Sequence, residues 1–107
     1  MAYSVRLMPR AAEDAECVYR RVVQEAPLQG QHWYNRLVEA IESLRLFPER
    51  CEAVESLSRS GITVRKLLYG HKPNTYRIYF AIDGKIVRIL HIRHGARREP
   101  TPGDIRG

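Results

Sequence analysis

The spacing of apolar residues changes period midway along the chain. From Tyr3 to Met8 apolar and polar positions alternate, with Tyr3, Val5 and Leu7 on one side and Ser4 and Arg6 on the other. That period of two predicts a short, half-buried strand. Pro9 and the run Ala-Ala-Glu-Asp then open a helix, with acids near the positive end of its dipole. Ala12, Ala15, Val18, Val22 and Val23 recur at helical spacing to about Glu25. Pro27 and Gly30 punctuate, and a second helix is predicted from about Gln31 to Leu46, with Trp33, Leu37, Ile41, Leu44 and Leu46 as its apolar stripe. Pro48 stops it. The polar stretch Glu49 to Gly61 reads as a connecting loop.

Beyond Gly61 the period is that of strands. Ile62 to Tyr69 predicts one, Gly70 to Asn74 a turn, and Thr75 to Asp83, rich in β-branched and aromatic residues, another. Asp83-Gly84 is the strongest short hairpin signal, which makes Lys85 to Arg93 the return strand. Pro100, Pro102 and Gly103 mark the tail after Gly95, expected to be extended or disordered over residues 99–107. The order β-α-α-β-β-β implies an α+β domain over residues 1–98, with two helices on one face of a mostly antiparallel four-stranded sheet. No repeat or linker suggests a second domain.

Alternation also splits the hairpin into faces. Tyr76, Ile78, Phe80 and Ile82 form the continuous apolar set and should face the helices, leaving Arg77, Tyr79, Ala81 and Asp83 on an uncovered face. The last strand does not divide so cleanly. Ile86, Leu90 and Ile92 are interrupted by Arg88, whereas Val87, Ile89 and His91 lead on to Arg93, so both sets are half apolar.

Composition narrows the class. In 107 residues, 44% hydrophobic content is enough for a core and excludes a disordered basic tail. The longest apolar runs are far too short for a membrane span. Cys17 and Cys51, separated by 33 residues without a CxxC pattern, do not suggest a zinc site. One disulfide between them is conceivable, but the absence of a signal-peptide pattern makes a reduced, cytoplasmic setting the expectation. The four histidines lack metal-ligand spacing, and neither metal nor cofactor is implied.

Charge is unevenly placed. The net of +6 comes from 15 Arg and only 3 Lys against 12 acids. Residues 11–58 sum to −4, whereas residues 59–107 carry eight Arg and three Lys against three acids, a net of +8. Arg brings a planar fork that binds phosphate or carboxylate bidentately and stacks on bases. The C-terminal half is therefore suited to a polyanion or an acidic protein partner. A solvated face with no ligand is the plain alternative.

The densest constellation is His91-Ile92-Arg93-His94-Gly95-Ala96-Arg97-Arg98, with two imidazoles and three guanidiniums at a strand end. Arg can hold phosphate charge, and His can act as general acid or base near neutral pH. His91 reads equally as a partly buried strand residue. Arg77 is the basic residue best placed on the open sheet face. Arg65 and Lys66 are adjacent and must point to opposite faces, and Glu55 is a loop acid that could reach a site at the sheet. Glu39 and Glu42, three residues from Arg36 and Arg45, read as helix-surface ion pairs.

With this element order, the segments Val64-Arg65-Lys66-Leu67, Tyr76-Arg77-Ile78-Tyr79, Asp83-Gly84 and Ile89 to Arg98 resemble the RelE/ParE superfamily. These are toxins of bacterial type II toxin–antitoxin modules, also called plasmid stabilisation proteins. The resemblance runs from Tyr3 to Arg98. It implies a RelE/ParE-like fold, a cognate acidic antitoxin, and a homodimer or a toxin–antitoxin hetero-oligomer. For the target it implies two branches. RelE-like members are ribosome-dependent mRNA endoribonucleases (mRNA interferases). In them a strand Arg matches Arg77, a late Arg matches Arg97, and a basic pair matches Arg65 and Lys66. In the YoeB-like branch Glu55, Arg77 and His94 would carry the chemistry, with Glu55 or His94 moving protons and Arg77 and Arg97 holding the phosphate. Arg93 and Arg98 would add target-binding charge. Those branches end in an aromatic residue that stacks on a base, whereas the last Phe, Tyr or Trp here is Phe80. The ending His-Gly-Ala-Arg-Arg is closer to ParE-type toxins, which bind and poison DNA gyrase, and the expectation leans to that side. A basic nucleic-acid-binding module without toxicity is the alternative from another class.

Overall fold

Pro9 occupies the first turn of helix α1 (Pro9–Glu25), where its missing N–H is no loss. A computed structural model of the chain describes residues 2–70, 75–95 and 100–105. Only Ala26 separates α1 from α2 (Pro27–Glu42), so Pro27, expected as a break, instead takes the first helical position of the second helix. A 3₁₀ turn, Ser43–Arg45, continues it. Gly30 is what allows the helices to meet: a Cβ there would lie 2.8 Å from the Val22 carbonyl oxygen. The turn after Arg45 is conformationally costly. Phe47 is left-handed, with φ 48°, and its side chain is 75% exposed. The Arg50 guanidinium holds this turn by donating to the carbonyls of Leu46 (2.7 Å) and Phe47 (3.1 Å).

The sheet has five strands and is mixed. They are β1 (Ser4–Leu7), β2 (Glu52–Ala53), β3 (Val64–Tyr69), β4 (Tyr76–Asp83) and β5 (Ile86–His94), in the order β1-β5-β4-β3-β2. This corrects the four strands expected. β2 is two residues long, Glu52 and Ala53, too short to show any alternation, and exists by pairing antiparallel with β3 at the sheet margin. The same segment holds two 3₁₀ turns, Pro48–Arg50 and Glu55–Leu57, where a plain loop was expected. The α+β class and the two helices hold. β1 runs parallel to β5, pairing Ser4 through Leu7 with Ile86 through Ile89; the other pairs are antiparallel. The β4–β5 hairpin turns at Gly84, whose φ of 60° favours glycine.

The helix-facing side of the sheet carries the main core: Tyr76, Ile78, Phe80, Val87, Ile89 and Ile92 pack with Ala11, Ala15, Leu37 and Ile41. The expected inward set on β4 is thus correct. On β5 the inward residues come from both alternating sets, because the register shifts between Tyr79 and Phe80 and leaves Leu90 as an extra residue. A bulge of this kind exchanges the faces of everything beyond it. The opposite face, expected to be uncovered, is partly roofed. Val54, Leu57, Val64 and Tyr79 form a second apolar cluster with Leu90, and Tyr79 is fully buried. After β5, Pro100 is buried and Pro102–Ile105 forms a 3₁₀ turn against that strand, where an extended or disordered tail was expected.

Candidate functional site

Register places the chemistry. On the face away from the helices, β4 presents Arg77 and Tyr79, directly opposite Arg93 and His91 of β5. Lys66 of β3 pairs with Tyr79, and Leu68 pairs with Arg77, so both lie on this same face. Leu68 is 61% exposed. The Glu55–Leu57 turn packs beside them through Leu57, with Glu55 itself exposed. Lys66, Arg77 and Arg93 are therefore brought to one side of the sheet, and the turn that carries Glu55 packs on that side through Leu57.

Two other candidates are not. The His94 ring stands on the helix side, edge-to-face with Tyr76 at 4.9 Å between centroids. It lines an open cleft of about 430 Å³ with Arg21, Glu25 and Trp33. Its backbone carbonyl accepts from Arg77 Nη2 at 3.3 Å. Arg65 pairs with Phe80, which faces the helices, and its Nη1 donates to the carbonyls of Glu49 (3.2 Å) and Cys51 (2.8 Å), bracing the segment ahead of β2. Arg97 and Arg98 lie outside the described residues, as does the turn expected at Gly70–Asn74 beyond Gly70. Cys17 and Cys51 are free thiols, one exposed and one buried.

Arg93 is not a surface cation: it is 3% exposed, and His91 beside it is 1% exposed. Arg93 Nε donates to His91 Nε2 at 3.2 Å. His91 Nδ1 meets Asp14 Oδ2 at 2.5 Å, and the same oxygen accepts the Ile92 N–H at 3.0 Å. Asp14 comes from α1 on the other side of the sheet. It can reach because β1 ends opposite Ile89, and α1 runs alongside the remainder of β5. Burial acts to raise the Asp14 carboxyl, but the hydrogen bonds from the His91 ring and the Ile92 amide, with the charge of Arg10, outweigh it and hold the group below its ordinary value. An ionised Asp14 requires the proton on Nδ1, which leaves Nε2 as the acceptor for Arg93.

Sequence reading missed Asp14. Its position near the start of α1 marked it as a helix-dipole acid, and nothing in local spacing links it to a partner 77 residues away.

These features sit on a known framework. A family model described as the ParE toxin of type II toxin-antitoxin systems, parDE, matches residues 5–99. The chain belongs to this family. Among solved structures, this ParE-family toxin is similar to the chromosomal ParDE toxin–antitoxin system from P. aeruginosa, with TM-score 0.67, 21% identity, and coverage of 87% of this chain and 96% of that one. It is also similar to the RelBE2 toxin–antitoxin complex from Mycobacterium tuberculosis (TM-score 0.54, 23% identity, 88% of this chain and 99% of that one). A third is the archaeal RelE–RelB complex from Pyrococcus horikoshii OT3 (0.58, 19%, 92% and 100%). At these identities the likeness is one of fold. No curated protein matches the chain. Among the described residues no helix is long and apolar enough to cross a membrane.

Proposed function

We propose that this toxin acts in the cytoplasm as a non-enzymatic poison of DNA gyrase, neutralised by an acidic cognate antitoxin, and that it does not cut RNA. The observation that carries the reading is the placement of the two proton-handling candidates. The turn that carries Glu55 packs on the guanidinium face through Leu57, whereas the His94 imidazole is on the opposite side of the sheet against Tyr76. Cleavage by a 2′-hydroxyl needs a base and an acid both within hydrogen-bond reach of one phosphate. A binding poison needs no such pair. It needs a rigid surface of complementary charge around an apolar contact, and Lys66 and Arg77 flanking the exposed Leu68 have that character. The absence of any Phe, Tyr or Trp after Phe80 supports the same choice.

An acidic antitoxin covering this face would block the target at the same surface, with the +8 of residues 59–107 attracting it. Arg97 and Arg98 would extend the basic contact. The test is to induce the toxin in bacteria while following plasmid supercoiling and a reporter mRNA. Growth arrest with altered supercoiling and intact mRNA is expected. Rapid codon-positioned cleavage of the reporter with supercoiling unchanged would reject the gyrase reading, and normal growth with folded protein would reject toxicity itself.

A further inference from the structure

Arg77 and Arg93 are directly opposed across β4 and β5, with the pair Tyr79 and His91 next to them on the same face. The ring of Tyr79 ties this square together. His91 stacks on it at 6.3 Å and 22°, and the Arg77 guanidinium lies 6.0 Å from its centroid. Like charges in opposed positions repel, and a buried guanidinium is costly without a nearby negative charge. One such charge reaches toward it from α1, through the edge of the sheet: Asp14 to His91, and His91 to Arg93.

We propose that Asp14 and His91 are positioning residues for the target-binding face: they fix the Arg93 guanidinium beside Arg77, and so set the charge and position with which half-buried Arg77 meets an oxyanion on the partner. This rests on the reading that the guanidinium face is the contact surface. Arg77 is the contact residue. Arg93, being buried, acts through its fixed charge and not by touch. The neutral tautomer of His91 matters because only a lone pair on Nε2 can take the Arg93 Nε–H, and the Asp14 acceptor on the Nδ1 side selects that tautomer. A carboxylate on one side of a sheet thereby sets the direction of a cation on the other.

The two halves of this relay can be cut separately. In His91→Asn the amide can still donate toward Asp14, as Nδ1 does, but the acceptor at the Nε2 position for Arg93 Nε is lost. In His91→Gln the longer side chain places an oxygen near the Nε2 position and can still accept from Arg93, while the Asp14 link is weakened. The full-length chain would be followed by NMR exchange of the Arg93 Nε–H, by melting temperature, and by growth arrest after induction. His91→Asn should accelerate Nε–H exchange by about tenfold, the equivalent of one hydrogen bond, and should lose growth arrest. His91→Gln should keep the Nε–H protected and retain most of the arrest even if it melts lower. Arg77→Ala should abolish the arrest and leave the Arg93 Nε–H protected.

A merely structural clamp between α1 and β5 would give the reverse order, with His91→Gln the more damaging and activity tracking melting temperature; that result overturns the proposal. So does an Arg93 Nε–H that exchanges freely in the unaltered chain, or one that stays protected in His91→Asn while arrest is undiminished. If the unaltered chain fails to arrest growth, the toxin reading falls. The exchange rates of the two variants then decide the positioning by themselves, the order above supporting it and its reversal refuting it.

Discussion

At the scale of single residues, Asp14 and Phe47 show opposite ways of carrying an energetic cost. Asp14 is drawn out of water, yet it stays ionised because three partners compensate: the His91 ring, the Ile92 amide and Arg10. A carboxyl held below its unfolded value stabilises the fold above the unfolded value and loses that contribution as pH falls through the folded one. Comparing denaturant stability of the parent and Asp14→Asn across pH should therefore show the largest difference near neutrality. The gap should begin to shrink below about pH 4 and continue closing toward lower pH. At Phe47 the compensation goes to the backbone, whose carbonyl accepts from Arg50, and not to the side chain. Phe47 adopts a left-handed backbone that non-glycine residues rarely take, while its ring is mostly in solvent. Asn tolerates that conformation better, so Phe47→Asn should raise stability by about 0.5–1 kcal/mol in urea unfolding. An unchanged or lower midpoint would show that the ring contributes more than its exposure suggests.

At the scale of elements, the closeness of α1 and α2 depends on one missing side chain. Gly30→Ala would set a Cβ 2.8 Å from the Val22 oxygen and 3.0 Å from the Val23 Cα, all of them backbone neighbours that cannot swing aside. The expected loss is about 1–3 kcal/mol, read as a lower melting temperature with the fold retained by circular dichroism. Elements with a sustained period were readable from their residues: α1, β4 and the Asp83-Gly84 hairpin all fall close to where the pattern put them. β5 resisted for a specific reason. Its inward residues Val87 and Ile89 and then Ile92 differ by an odd step across Leu90, so no single alternation could describe the strand. β2 was invisible because two residues have no period, and its pairing is decided by β3. The start of α2 was misplaced because Pro27 can either break a helix or begin one, and local sequence does not choose. The candidate site was partly legible on the same terms. Arg77 follows from β4 alternation, but the side taken by His91, Arg93 and His94 depended on the bulge. The burial of Arg93 depended on an acid in another element.

At the scale of the whole molecule, the charge that seemed a property of half the chain belongs to its sheet and to the C-terminal segment beyond β5. Residues 11–58, which hold both helices except Pro9 and Arg10, sum to −4, and residues 59–107, including three strands, to +8. Helices packed on one face of the sheet thus make an electrically polarised particle, with Lys66 and Arg77 directed away from the acidic layer. Such an arrangement speeds encounter with an acidic partner and orients it on arrival, and salt removes the effect. Stopped-flow association with the cognate antitoxin should slow steeply as salt rises from about 0.05 to 0.5 M, while dissociation changes much less. A rate indifferent to salt would mean that contact is governed by the apolar Leu68 and its neighbours.

The shortness of β1 has one more consequence. It stops opposite Ile89, so among the described residues no strand pairs with that side of β5 beyond this point, and an unpaired strand edge is where a passing chain could add a strand. Asp14 occupies the Ile92 amide there, placing a negative charge where an incoming strand would need a carbonyl. The same carboxylate that orients a cation for one intended partner thus also guards the sheet against unintended ones. A chain lacking it would be expected to lose selectivity and solubility together.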